Sequence, residues 1–462
     1  LTDTISTMST PAETDTEQKT DSCACRIIPP GEHPITAEMI DRDALYILKK
    51  LSDAGFAGYL VGGGVRDLYL GRTPKDFDIS TDAHPGQLRK LFPNSNTIGR
   101  RFRLVQIYFR GGKTIEISTL RSLSEYDIDG PEAVLAPNNT FGTLSEDARR
   151  RDLTINSLFY EIENNTIIDY VDGSLDLERG IIRIVGDPAK RIGRDPVRML
   201  RAIRHAARIN FTIEEQTWRS ICKNSHKLAL CPPSRLRDEF FKDLYSSAAA
   251  PWFTLAVESE LLFSLFPFYR RIFINHSAPT GNPRDLLAAI CRVIDRINKL
   301  SLMLKIHRQP DFFLTALLLI PWVEARFQLL SQFRKGGPLF QLSKQIRAEI
   351  DRTIGTSLNL SRSFRQEMVS LLISLSQLIH NRQENSWPKW LKRKSYFKRG
   401  LLFYNFYMEA VTGKAVDSQL LGAPPTQAAG KTMKRSNRNS LPPKGKPAFS
   451  TTSKGGIFGF KK

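Results

Sequence analysis

Cysteine is scarce in this chain, five in 462 residues, at Cys23, Cys25, Cys222, Cys231 and Cys291. So few thiols exclude a disulfide scaffold. Cys23 and Cys25 have no second Cys/His cluster to complete a metal site and read as incidental. Acidic residues are also short: 47 Asp and Glu against 67 Lys and Arg leave a formal net charge of +20. Such a field favours a polyanionic partner, nucleic acid or an acidic membrane surface. Long apolar runs are missing. The longest, Phe312 to Val323, is broken by Pro321 and flanked by charge. It predicts a buried helix and excludes a bilayer span. Residues 1–20 contain no apolar signal core, so the expected location is cytoplasmic.

What is present is concentrated between residues 60 and 80. Gly62, Gly63 and Gly64 follow an apolar stretch and precede a helix-like run, Val65 to Leu70. A glycine turn at a helix start lets backbone N–H groups approach phosphate oxygens. Next comes Asp76-Phe77-Asp78-Ile79. In a strand over 76–80, Asp76 and Asp78 share one face and the apolar pair packs on the other. Two carboxylates beside a phosphate cradle make a seat for hard divalent cations such as Mg²⁺.

Around this core the chain divides by composition. Residues 1–36 are polar and aperiodic, and 37–55 read as an amphipathic helix. Strands are expected at 58–62, 103–109 and 113–119, the last two as a hairpin across Gly111 and Gly112. Glu116 alternates with Ile115 and Ile117; it is either a third acid of the cluster or an ordinary outward polar residue. Residues 122–145 form a long polar loop. Arg149, Arg150, Arg151 and Asp152 open the next segment, and arginine matches triphosphate geometry. A short hairpin is expected over 179–187. Beyond it the pattern is helical to about residue 412.

Within that helical part, 194–208 is the informative stretch. Pro196 suits a first helical turn with Asp195 as its cap. Asp195, Arg198 and Arg201 gather on one side, with Arg204 and Arg208 at its border. An Asp acceptor beside Arg donors can read the edge of a base; the alternative is a solvated basic face. The stretch 389–404 interleaves cations with aromatics, either as a surface for single-stranded RNA or as a helix with core aromatics and solvated charges. From 413 to 462 the composition is that of a disordered basic tail.

Four spaced motifs carry a family resemblance: Gly62 to Asp67, Asp76-Phe77-Asp78, Arg150 to Asn156, and Asp195 to Arg201. Together they make the chain resemble the class II tRNA nucleotidyltransferase and bacterial poly(A) polymerase family, within the polymerase-beta-like nucleotidyltransferases. The resemblance runs over 58–245 and more weakly to about 410. It implies an α+β fold, a small mixed-sheet catalytic head followed by an all-α neck, body and tail. The corresponding division is a head at 37–178, a neck at 179–245 and an RNA-binding body at 246–412. It implies two Mg²⁺ ions held by Asp76 and Asp78, with Asp152 as a further active-site residue. Gly63, Arg66 and Arg151 match nucleotide-contacting positions. Asp195, Arg198, Arg201 and Arg204 match positions that hold and select the incoming nucleotide.

The segment Ile98 to Ile107 looks like the poly(A) polymerase branch, with departures at Gln106, usually His, and at Arg194, usually Glu. The implied activity is template-independent transfer of AMP from ATP to RNA 3′ ends, in mRNA processing and decay. The alternatives are addition of CCA, or part of it, to tRNA, and a catalytically silent RNA-binding protein.

Overall fold

The computed structural model of the chain describes residues 25–99, 103–122, 141–274, 281–382 and 386–417. Expectations that fall on Cys23, on the greater part of the 122–145 loop, on residues 100–102 of the branch signature and on most of both termini lie outside the described residues.

An eight-stranded mixed sheet comes first. Its strands are β1 (Arg26–Ile28), β2 (Gly58–Val61), β3 (Asp78–Thr81), β4 (Ser95–Ile98), β5 (Leu104–Tyr108), β6 (Thr114–Thr119), β7 (Phe159–Glu161) and β8 (Thr166–Asp169). They lie in the order β1-β8-β7-β2-β3-β6-β5-β4. Only the β3–β6 pair is parallel. The remaining neighbours are antiparallel. The expected strand over 76–80 is shorter than its alternation suggests: it starts at Asp78, and Asp76 lies in the exposed approach to it. The two acids are therefore neighbours across a strand end rather than on one strand.

The amphipathic stretch forms α1 (Arg42–Asp53), which buries Ala44, Ile47, Leu48 and Leu51 against the sheet. Asp41 caps it, accepting from the backbone N–H of Asp43 at 2.9 Å, a contact type worth ~1 kcal/mol. The head continues with α2 (Gly63–Tyr69), α3 (Pro85–Leu91), α4 (Leu144–Arg150) and α5 (Gly173–Arg179). The hairpin expected over 179–187 does not form. Ile181–Ile182 instead pairs in parallel with Thr212–Ile213, because α6 (Pro188–Arg194) and α7 (Val197–Ile209) separate the two segments.

An all-α region follows, from α8 (Glu215–Asn224), α9 (Pro233–Leu244), α10 (Ala249–Glu258), α11 (Leu261–Leu265) and α12 (Phe268–Ile274) to α13 (Pro283–Met303), α14 (Asp311–Phe327), α15 (Gly336–Ile350), α16 (Arg362–His380), α17 (Lys389–Lys392) and α18 (Phe397–Thr412). The Phe312–Val323 run lies in α14 with Phe313 to Glu324 buried, Pro321 included. Among the described residues no helix is long and apolar enough to cross a membrane.

Candidate active site

The glycine turn folds where the sequence places it. Gly62, with φ at 70°, ends β2 and opens α2. That sign of φ favours glycine. A Cβ at Gly62 would stand 3.6 Å from Nη1 of Arg151 and 4.0 Å from Oδ2 of Asp78. One at Gly64 would begin 3.4 Å from the carbonyl oxygen of Asp76. Bare backbone thus lies beside the Asp78 carboxylate and the main chain of Asp76.

The acids crowd one another. Asp78 is the register partner of Val61 on β2 and of Glu116 on β6. Ile115 and Ile117 point into the core, so Glu116 shares the outer face with Asp78. The register puts Glu116 directly beside Asp78. Gln106 on β5 donates to Glu116 at 3.0 Å. Burial of its carboxyl, then the charges of Glu116 and Asp76, push Asp78 up to about 6 against an opposing pull from Arg151. As a residue Asp78 remains open to water on its outer side. Asp76 is also exposed and meets Lys75 at 3.7 Å.

Among the described residues no three ligating side chains already converge on one point. The donor set nonetheless fits Mg²⁺, which takes one or two carboxylates and completes its shell with water and substrate phosphate. Repulsion among the acids is what a divalent cation relieves.

Arg151 bridges this cluster to the helices. Its guanidinium donates to Ser80 at 3.1 Å and to Asp147 at 2.8 Å, and lies over the Phe159 ring. Its carbonyl accepts from Arg191 at 2.8 Å and Arg198 at 3.1 Å.

Asp152 faces the other way. It pairs with Arg198 at 2.6 Å and with Arg201. Burial alone would raise its pKa, but the two guanidiniums outweigh burial and hold it well below the carboxylate range. These ion pairs turn the Asp152 carboxylate toward α7.

The arginines of α7 are not a solvated face. Arg201 reaches Glu239 at 3.2 Å, and Arg204 reaches Glu239 and Asp243, both at 2.7 Å. Asp195 does not cap α7. Its Oδ2 accepts from Arg235 at 2.6 Å, and Pro196 holds the cap position instead. Oδ1 of Asp195 and Nε of Arg198, like Nε of Arg191 and Oδ2 of Asp243, are buried without a partner among the described residues. Buried polar atoms are seldom left so, and each one calls for a missing ligand group or water.

Arg66 is committed. Only 2 % exposed, it donates to Asp67 at 2.6 Å and 2.9 Å and to Asn156 at 2.7 Å, with His205 at 3.2 Å. Gly63 packs against the same guanidinium. Both residues sit at the junction of head and α7, and the Arg66 side chain is turned into protein.

Sequence reasoning missed α9. Arg235, Glu239 and Asp243 recur every four residues and form a stripe that grips Asp195, Arg201 and Arg204 in turn. The available signal was charge at positions interleaved with the buried Leu236, Phe240 and Leu244.

The chain is similar to known proteins in sequence and in fold. Residues 58–183 match the family model described as the poly A polymerase head domain. Residues 210–272 match one described as a probable RNA and SrmB-binding site of polymerase A. The chain is 38% identical over 319 residues to poly(A) polymerase I of Salmonella typhi, covering 68% of this chain and 67% of that protein. It is 42% identical over 200 residues to the CCA-adding enzyme of Lactobacillus helveticus, covering 43% of this chain and 49% of that protein. Among solved structures, the CCA-adding enzyme of Bacillus stearothermophilus in complex with CTP is similar in fold, with a TM-score of 0.58 at 23% identity, over 81% of this chain and 78% of that one.

Proposed function

The chain belongs to the poly(A) polymerase and CCA-adding nucleotidyltransferase family, and from that premise we propose that it adds nucleotides to RNA 3′ ends without a template, releasing pyrophosphate. One observation carries the reading: Asp195 and Arg198, three positions apart at the start of α7, leave an acceptor and a donor without partners among the described residues. Adenine and cytosine both present an amino donor next to a ring-nitrogen acceptor on their pairing edge. An acceptor and a donor side by side suit that edge and mismatch the reversed edges of uracil and guanine.

Asp76 and Asp78, with Glu116 beside them, would hold the two Mg²⁺ ions, which when bound supply charge neutralisation at the triphosphate and acidify the attacking 3′-hydroxyl. Arg151 adds positive charge between the acids and the base pocket. Asp152 and Arg201 keep Arg198 in place, and Arg204 ties the same helix to α9. Arg66 braces head against α7 rather than touching the nucleotide. The basic balance of the whole chain suits a grip on the RNA backbone.

Two finer readings rest on different observations. Transfer of AMP alone, from ATP, is supported by the breadth of the match to poly(A) polymerase I relatives. Addition of C, C and A to tRNA is supported by the higher identity to the CCA-adding relatives over their shared 200 residues, and by a pocket edge that accepts cytosine as readily as adenine. Incubation with ATP alone or CTP alone, on tRNA lacking its CCA end and on oligo(A), separates them. CMP incorporation into tRNA selects the CCA reading. AMP runs on both RNAs without CMP select polyadenylation. No incorporation from any nucleotide rejects the enzymatic reading.

A further inference from the structure

The stretch 389–404, which the sequence leaves open between two readings, acquires a definite geometry. α17 is one turn long and its core contact is Leu391, fully buried. The next residue back, Trp390, is 49 % exposed. Lys389, Lys392, Arg393 and Lys394 surround it, all exposed and without an ion pair among the described residues. Arg399, one turn further on, does have an acidic partner, Glu367 at 2.8 Å; the cluster around Trp390 does not.

The turn is held rigidly from behind. The indole of Trp387 donates to the carbonyl of Leu378 at 3.2 Å, and the Tyr396 hydroxyl donates to Gln377 at 2.7 Å. Trp387 also meets the rings of Phe397 and Tyr404 edge-on. The aromatics thus divide. Trp387, Tyr396 and Phe397 anchor the turn on α16 and α18, and Trp390 is left facing water. Exposing a large indole forgoes burial worth about 2 kcal/mol. Solvation accounts for the four cations and does not account for the indole.

We propose that the Trp390 turn is a docking site for single-stranded RNA upstream of the reacting 3′ end, with a base stacked on Trp390 and flanking phosphates met by Lys389, Lys392, Arg393 and Lys394. Charge complementarity selects a polyanion, and the bare indole selects one that carries π faces. The site lies in the α16–α18 group, outside the 210–272 segment that matches the RNA-binding family model. It rests on the reading that the substrate is RNA.

The test uses the full chain and labelled A-rich RNAs of roughly 40 and roughly 8 nucleotides, lengths chosen to exceed and to fit within a single binding groove. Trp390→Ala weakens binding of the long RNA about tenfold, within the range expected for loss of one stacked base, and leaves the short RNA unchanged. Trp390→Phe recovers most of the loss. A triple variant, Lys392→Ala with Arg393→Ala and Lys394→Ala, lowers the salt slope for the long RNA by about 2.

Wild-type affinity for the long RNA in both the Trp390→Ala and the triple variant overturns the site. Equal loss for the long and short RNAs also overturns it, as does displacement of the long RNA by polyglutamate, which would mark a protein-binding surface. These readouts measure binding alone. Failure of wild-type protein to incorporate any nucleotide would reject the enzymatic reading without deciding this one.

Discussion

Aspartates and arginines build two regions of this molecule to opposite ends. On the β3–β6 face, Asp76, Asp78 and Glu116 stand together, with Arg151 pulling the other way, and burial of the carboxyl followed by repulsion from its neighbours lifts Asp78 to about 6. In the seam between head and α7, two of the acids each meet two guanidiniums, while Asp243 meets Arg204 alone and burial lifts it to about 7. Asp152 lies between Arg198 and Arg201, and Glu239 between Arg201 and Arg204. Burial would raise Glu239, yet the arginines bring it down to about 2. A region with surplus negative charge is poised for a cation it does not itself supply. A region whose charges are mutually satisfied is built to hold shape. The seam departs from balance at Asp195, Arg198, Arg191 and Asp243, where one side-chain atom of each is buried without a partner among the described residues.

The widest separation between the regions is in what a single substitution removes. Asp78→Ala takes away a carboxylate assigned to metal binding, a contribution of several kcal/mol to the transition state. Nucleotide incorporation is expected to fall about 10³-fold or more, with RNA affinity retained. Primer extension paired with a binding assay measures both, and retained incorporation would erase the distinction from the acid side.

Glu239→Gln probes the other side. It takes one carboxylate from Arg201 and Arg204, which keep Asp152 and Asp243, at an expected cost of about 1–2 kcal/mol in stability. Denaturant unfolding reads that directly. A variant with unchanged stability and lost activity would make Glu239 a functional acid and the seam something other than a scaffold.

The sequence makes the first region legible and the second only half so. The glycine turn, the Asp76-Phe77-Asp78 acids and the arginines of α7 are local patterns, and local patterns survive reading in one dimension. Even there, alternation overextended β3 by two residues, because it cannot see where β2 and β6 begin to pair. Glu116 stayed undecided for the same reason: its meaning comes from a parallel register 38 positions away in the chain.

The seam was harder still. Asp195 reads as a helix cap from its place before Pro196, and only Arg235, 40 residues on, shows otherwise. Asp152 enters as an active-site residue only through the family resemblance, and its neighbours in the chain do not show that Arg198 and Arg201 pair with it. The Arg235, Glu239 and Asp243 stripe shows only charge beside apolar positions, and its partners, which decide the direction it faces, lie on α7 and its approach.

The smallest expected effect is also the one that sets the regions against each other by sign. A carboxyl whose pKa falls on folding contributes stability that is present above its unfolded pKa and lost on acidification. Glu239 is of that kind, and its contribution disappears as pH drops from about 5 toward 2. Asp78 is the opposite. Folded near 6 against an ordinary 3.8, it is most comfortable protonated, and stability is lost as pH rises through 6.

Unscreened, the Asp78 penalty would be ~3 kcal/mol. Asp78 is exposed, and water reduces the figure to about 1 kcal/mol. A divalent cation seated on the acids recovers it by mass action. Mg²⁺ should therefore raise the melting temperature at pH 8 by a few degrees and leave it unmoved at pH 4.5, where Asp78 is protonated. Asp78→Asn should melt slightly higher than the parent at pH 8 without Mg²⁺ and ignore the ion when it is added. A Mg²⁺ shift of equal size at both pH values, or one that survives Asp78→Asn, would mean the ion stabilises some other part of the chain and that crowding at Asp78 does not mark its seat.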